Sequence, residues 1–380
     1  MIKGSAVAGE TYQTYLPKPL PPNPPINLDN FYKTIEQASN TLGRLDGMSA
    51  LLPDISLFLW MCARKEAVLS SQIEGTQSSL SDLLSSESLK VRGTSADDID
   101  EVKCYITAMN YGLSRLKEIP LSLRLIREIH AKLMHNSRGW NRQPGEFRKS
   151  QNWIGGNSPS KATYVPPPPE RLMECLDSFE KFLHDESVQL PVLVKVALVH
   201  VQFESIHPFL DGNGRLGRLL ITFMLCMEGV IKEPLLYLSL YFKTYRQAYY
   251  NHLQAVNETG DWEGWIRFFL EGIIDTANQT EEAAHSIMKL FSDDRRLIKS
   301  SKQSAASVST TNTIYADLQR HPISSTASIR KNTGLSQPTV MRSLSALERL
   351  GIIKEITGKS RHKVFVYSVY LDILNKGTEL

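Results

Sequence analysis

The chain has 380 residues, 42% hydrophobic and 22% charged, which predicts two or three domains with a sizeable core and excludes wholesale disorder. No apolar run approaches a bilayer-spanning helix and MIKGSAVAGE lacks a secretory apolar stretch, while Cys62, Cys104, Cys175 and Cys226 lack CxxC or Cys/His spacing; a cytoplasmic protein with no membrane partner, disulfide framework or structural zinc is expected. The net charge of +3 hides an asymmetry: residues 301–380 hold 11 Lys/Arg against 5 Asp/Glu, and the preceding 300 hold 32 against 35.

The Pro-dense residues 16–26 predict an extended lead-in laid on a surface. Apolar residues at helical spacing then predict helices over 29–45, 54–75, 97–116 and 122–134. Residues 138–169, with Gly-Gly, Asn-Ser-Pro and four successive prolines, predict a loop carrying a small β-hairpin around 162–165. Helices resume at 170–183, and residues 191–206 are apolar nearly all round, the pattern of a helix buried in an α-domain. Further helices are predicted at 218–229, 241–258 and from 262 to about 299. The Ser/Thr/Lys-rich residues 299–312 predict a linker. Beyond it come short helices at 313–320 and 325–333, a Gly334-Leu335 turn, a third helix at 338–350 and strands at 352–356 and 364–367 around the basic turn Gly358-Lys359-Ser360-Arg361. That order is a winged helix-turn-helix.

The informative stretch runs from His207 to Arg218, between the buried helix and the next one. Asp211-Gly212-Asn213-Gly214 turns the backbone tightly and points N–H groups into one concavity, with a helix N-terminus behind it. Arg215 and Arg218 are placed to fork onto phosphate oxygens, and Asp211 is a hard oxygen ligand suited to a phosphate-bound Mg²⁺. His207 is a base for an attacking hydroxyl at neutral pH, and Phe209, apolar in a polar loop, anchors it. The residues suggest Mg²⁺-assisted transfer of a nucleotide's phosphate-linked group.

His207 to Arg218 resembles the HPFxDGNGRxxR signature of Fic-domain proteins at every specified position, and the likeness extends over about residues 15–275. The resemblance implies a mainly α fold: a Fic-type helical core with a small β-hairpin flap. It implies a protein adenylyltransferase moving AMP from Mg-ATP to a Ser, Thr or Tyr hydroxyl of a target protein. His207 would be the general base and Asp211 the Mg²⁺ ligand; Gly212, Asn213 and Gly214 would cradle the phosphates, Arg215 the β-phosphate region and Arg218 the γ-phosphate. Ser70, Glu74 and Gly75 resemble the family's inhibitory motif, Ser/Thr-x-x-x-Glu-Gly/Asn, which implies an inhibitory helix; a bidentate pair of Glu74 with Arg218 would leave ATP bound weakly or with its α-phosphate turned away. Thr163, Tyr164 and Val165 are the expected flap residues pairing with an extended target segment. Tyr249, Tyr250 and Asn251 are candidates to line the base pocket, with Phe209 also assigned to the nucleotide site; His130, His135, His200 and His252 read as structural.

In the basic tail, Gln337, Thr339, Arg342 and Ser343 are the expected groove-facing residues, and Lys359, Arg361, His362 and Lys363 the phosphate-contacting wing. The expected organisation is an N-terminal helical region 1–110 with the inhibitory helix, a catalytic core 111–298, a linker 299–312 and a winged helix 313–380 for binding DNA or, alternatively, for protein contacts or homodimer formation. Competing readings are a DNA-binding regulator whose Fic fold senses nucleotide, and removal of AMP or transfer of another nucleotide at the same site.

Overall fold

Why each helix forms where it does is visible in its caps and in the face it buries. The computed structural model describes residues 12–50, 52, 54–89, 96–135, 143–301, 304–359 and 361–379. Residues 1–11, the flap's 138–142, linker residues 302–303 and Ser360 of the wing lie outside the described residues. The Pro-rich lead-in is extended, as expected. Tyr15 donates its N–H to the Val165 carbonyl (2.8 Å), and the Lys18 carbonyl accepts from Gln202 Nε2 (2.9 Å).

The body opens with α1 (Tyr32–Ser49) and α2 (Ile55–Ile73), whose start is capped by Asp54 accepting from Leu57 N. Nearly every residue of α2 after Phe58 is buried, so this helix lies inside the body and not along its surface. A helix absent from the expectations follows: α3 (Leu80–Leu89). Its signal is a capping box, with Asp82 N bonded to Ser79 Oγ (3.1 Å) and Ser79 N to Asp82 Oδ2 (2.9 Å), ahead of buried Leu80, Leu83 and Leu84. Next come α4 (Ala96–Arg115), α5 (Leu123–Leu133), α6 (Pro169–His184), α7 (Val192–Ile206) and α8 (Asn213–Met227). The expected boundary at residue 110 falls within α4, which therefore joins the two regions instead of separating them.

The expected helix 241–258 is two, α9 (Ser239–Thr244) and α10 (Arg246–Thr259), because Tyr245 leaves helical geometry at φ −108°, ψ 41°. The long α11 (Trp262–Ser300) packs along α1, α7 and α10 and buries Trp265, whose Nε1–H donates to the Ala197 carbonyl at 2.9 Å. Between α5 and α6 the expected hairpin is reduced to a single antiparallel bridge, Ile154 with Tyr164.

The expected linker is largely helix: α12 spans Ala305–Arg320, capped by Ser304. Weak helix formers there are overridden by a packed face carrying Thr311, Ile314, Tyr315 and Leu318. The tail continues with β1 (Ile323–Ser325), α13 (Thr326–Thr333), α14 (Gln337–Arg349), β2 (Lys354–Glu355), β3 (Val364–Val366) and α15 (Ser368–Asn375). The sheet is antiparallel in the order β1-β3-β2, with Val366 opposite both Ile323 and Lys354. Neither β1 nor α15 was anticipated. Both gain their order from β3 and from the body: Tyr315, Tyr367 and Asp294 of α11 form a buried polar triad, and Tyr370 of α15 donates to Met61 of α2. No helix among the described residues is long and apolar enough to cross a membrane.

Candidate active site

Helix α7 ends at His207, which adopts left-handed geometry (φ 48°, ψ 60°) and so turns the chain out of the buried helix. A ring of polar contacts holds the loop that follows. Arg148, buried in the segment before α6, donates to the His207 carbonyl (2.9 Å) and to the Pro167 carbonyl (2.5 Å). Asn152 Nδ2 donates to the Phe209 carbonyl (2.8 Å). Phe209 is wholly buried, stacked on His130 with ring centroids 3.7 Å apart. It anchors the loop, and its assignment to the nucleotide pocket has no support in that position. His130 is fixed at both nitrogens: it accepts from Gly145 N (2.8 Å) and holds the Asp211 carbonyl at 2.9 Å. A carbonyl only accepts, so Nε2 carries the proton and the ring is neutral; burial pushes it down to about 4.

The same logic fixes the tautomer of His207. Its Nδ1 lies 3.3 Å from the Glu204 carbonyl, which must accept, leaving the Nε2 lone pair free of that proton. Burial lowers the imidazole to about 4, only partly opposed by that hydrogen bond, so His207 is neutral at physiological pH.

Gly212, at φ 78°, turns the chain into α8. The N–H groups of residues 213, 214 and 215 belong to the first turn, ahead of the ladder that begins with Leu216 N to Gly212 O. With the helix dipole behind them they form an anion-binding concavity. The Asn213 side chain is not part of it: it is consumed by both backbone groups of Phe209 (2.9 and 2.8 Å). Its contribution to a phosphate is therefore restricted to its main chain. Asp211 is nearly half exposed, with Oδ1 bonded to Gly212 N (2.6 Å) and 3.8 Å from Arg215.

The two arginines face different neighbours. Arg215 reaches Glu101 of α4 (3.4 Å), and its buried Nε has no hydrogen-bond partner. Arg218 is gripped at three points by the end of α2: Nε to Ser70 Oγ (2.8 Å), Nη2 to Ser70 O (2.9 Å) and Nη2 to Glu74 Oε1 (2.7 Å). The expected bidentate carboxylate pair is replaced by one carboxylate contact and two from Ser70, because α2 approaches with its last turn and lays Ser70 along the guanidinium. Burial would raise the Glu74 carboxyl, but the Arg218 charge outweighs it and holds the group below the ordinary range. The reciprocal shift raises Arg218 against its own burial. Gly214 accommodates this contact: a methyl there would collide with the Glu74 carboxylate. Gly75 ends α2 with φ 100°.

Other expected residues fall elsewhere. Tyr249 is 1% exposed, its hydroxyl bonded to His200 Nε2 (2.9 Å), and it packs in the aromatic core instead of lining a base pocket. Tyr250 is exposed beside Arg246, on the side of α10 near Glu74 and Arg218. In the flap, the Tyr164 hydroxyl turns inward to the Ser205 carbonyl (2.7 Å), and the Val165 carbonyl is taken by Tyr15. Thr163 alone of the three is exposed. Sequence reasoning missed Arg148 and Asn152, charged or amide residues in the predicted loop, and Glu101, a charged residue on the predicted helix 97–116. It also missed Glu204, one turn before His207, whose buried Oε1 lacks a partner and whose carboxyl burial pushes to about 8. A cleft of about 700 Å³ between α2, α11 and α12 contains no residue of the loop.

A neutral, oriented imidazole beside a helix-start concavity and two buried guanidiniums defines a site suited to phosphate chemistry on an all-helical core. Residues 32–114 match the family model "Fic/DOC family N-terminal", residues 120–225 match "Fic/DOC family", and residues 309–354 match "Winged helix-turn-helix DNA-binding". Over residues 32–225 the chain belongs to the Fic/DOC family. Among curated relatives, it is 34% identical over 219 residues to "Protein adenylyltransferase Fic" of Aedes aegypti, a match taking in 55% of this chain and 41% of that protein. It is 32% identical over 185 residues to the Drosophila erecta protein of the same name, covering 48% and 34%. The chain thus spans well under two thirds of the length of these relatives. A Fic family protein from Desulfovibrio desulfuricans shares the fold at TM-score 0.56 and 18% identity, over 94% of this chain and 98% of that one. Fic-1 of C. elegans does so at 0.51 and 21%, over 68% and 74%.

Proposed function

We propose that the protein is an adenylyltransferase that moves AMP from Mg-ATP to a Ser, Thr or Tyr hydroxyl of a target protein and is held down by Glu74. The observation that carries this reading is His207, neutral, with Nδ1 turned to the Glu204 carbonyl and Nε2 left to accept, five residues before the Gly212 turn into the concavity at the start of α8. Nε2 takes the hydroxyl proton, the oxygen attacks the α-phosphorus in line, and pyrophosphate leaves with the bond it shared. The first-turn N–H groups of α8 and the two arginines offset charge on the phosphates. Asp211 suits Mg²⁺ as a lone, accessible carboxylate: among the described residues no group of three or more His, Cys, Asp or Glu is poised for a metal, so the fitting cation is one that brings phosphate and water ligands with it. When bound, the ion would neutralise phosphate charge.

Glu74 and Ser70 occupy the Arg218 donors that a γ-phosphate needs, which makes the end of α2 an inhibitory element. The family match, the names of the relatives and this clamp together support transfer under restraint. The winged helix supports a further role in DNA binding, with the exposed Gln337 and Arg342 on α14 and Lys359, Arg361 and His362 on the wing. Ser343, expected in the groove, is buried against Thr311 and packs α14 onto α12. The test is incubation of wild type, Glu74→Gly and His207→Ala with α- and γ-labelled ATP and Mg²⁺. Label reaching protein from the α position alone, raised in Glu74→Gly and lost in His207→Ala, is the expected result. Label from the γ position alone would overturn the reaction class, and label from GTP, UTP or CTP in place of ATP would revise the donor.

A further inference from the structure

Behind the face of α2 that grips Arg218, the same helix is bound to residues 376–379, which follow the winged helix. Gln72, two residues before Glu74 and 8% exposed, uses its Nε2 to bridge the Ser78 carbonyl and the Thr378 carbonyl, each at 3.0 Å. Two turns earlier, Lys65 donates to the Lys376 carbonyl at 2.7 Å and lies 4.8 Å from the Tyr237 ring centre. Lys243 of α9 donates to the Glu379 carbonyl. The segment is itself built to hold this course. Thr378 is 1% exposed and folds back on Asn375 (2.7 Å), Asn375 exchanges hydrogen bonds with Ser81 of α3, and Gly377 takes φ 84° where a side chain would strike Leu240. Buried lysine and glutamine donors satisfied by backbone carbonyls of a segment 306 or more residues away are costly to leave unpaired, so the contacts stand or fall together.

We infer that residues 376–379 are a latch that positions the inhibitory end of α2, so that the winged-helix module helps set how firmly Glu74 and Ser70 hold Arg218. Helix α2 carries both surfaces: Ser70 and Glu74 point to Arg218, while Lys65 and Gln72 point to the latch. Displacing the latch removes the anchors of the last two turns and lowers the population in which Glu74 is seated. The coupling is reciprocal, so a nucleotide that evicts Glu74 also loosens the latch.

This inference rests on the proposed inhibition by Glu74, and the experiment separates the two. Mg-ATP binding and α-label transfer are measured on the full chain for wild type, Glu74→Gly, Gly377→Val and Gln72→Leu, and for Gly377→Val combined with Glu74→Gly, with thermal unfolding followed in parallel. Gly377→Val lies on the latch and Gln72→Leu on the helix, so they break the contact from opposite sides. Each is expected to raise transfer by about fivefold or more, the lower range of coupling between sites, and Gly377→Val is expected to add nothing on top of Glu74→Gly. A purely structural contact would lower the unfolding temperature without raising transfer. Active Glu74→Gly beside folded Gly377→Val and Gln72→Leu at wild-type transfer would overturn the latch and leave the inhibition standing. Unchanged transfer in Glu74→Gly would overturn the inhibition itself, and the latch with it.

Discussion

Replacing Glu74 with Gln isolates the charge in the Arg218 clamp. The substitution keeps length and shape, and leaves both Ser70 contacts intact, so it removes only the ionic part of the 2.7 Å contact. The amide oxygen introduced by Glu74→Gln can still accept from Arg218, so only the charge is lost, and for a pair whose Glu74 side chain is 37% exposed that part is about 1 kcal/mol. Glu74 and a γ-phosphate compete for the same donors, so that difference becomes about a fivefold fall in the Kd for Mg-ATP. Calorimetric titration of wild type, Glu74→Gln, Arg218→Ala and the double variant forms a thermodynamic cycle. The fivefold gain should appear with Arg218 present and vanish in the Arg218→Ala background. An unchanged Kd in Glu74→Gln, or the same gain without Arg218, would refute competition for the guanidinium.

The neutral His207 predicts that the acid flank of the kcat/KM profile lies near pH 4 instead of near the ordinary histidine value, which a pH–rate series with Glu74→Gly would read. His130, His200 and His207 all have pKa values lowered by burial, to about 4, 3 and 4, so the unfolded chain binds protons more readily than the folded one. Their contribution to stability is complete above about pH 6.5 and declines as pH falls toward 4, measurable as a falling denaturation midpoint over that window. Glu66, buried behind the clamp and pushed up to about 7, accepts from Ser239 N (3.2 Å), Ser239 Oγ (2.5 Å) and Tyr105 (2.9 Å). Glu66→Ala strands these donors and should cost about 3 kcal/mol or more in urea unfolding; Glu66→Gln should cost less. On the wing, Lys359→Ala should weaken duplex DNA binding uniformly across sequences and reduce the salt slope by about 1. An unchanged slope would remove Lys359 from the phosphate contacts.

Much of the site was legible because its requirements are local. A turn that aims N–H groups at one point, followed by a helix start, is written in consecutive residues, and so was Ser70–Gly75 as a helix end. Phe209 as an anchor follows from an apolar ring in a polar loop. The girdle of Arg148 and Asn152 was not legible, because it spans 59 and 57 residues of separation and depends on where a loop without periodicity comes to rest. Tyr249 and Tyr250 are adjacent yet diverge, one into the core with His200 and one outward, since a helix turns neighbouring residues to different faces. The residues taken for a linker became α12 because burial of a face outweighs weak propensity.

Sequence alone determined the helical body, the winged tail and the tight turn into α8 with the residues that cluster around it, all properties of short stretches. Tertiary structure decided what those residues touch. It gave Arg218 to Ser70 as much as to Glu74, took the Asn213 side chain out of the concavity, and bound the back of α2 to residues 376–379. Partners separated by 144 to 306 residues leave no pattern in the order of amino acids; only packing of the completed body brings their donors and acceptors within hydrogen-bond reach.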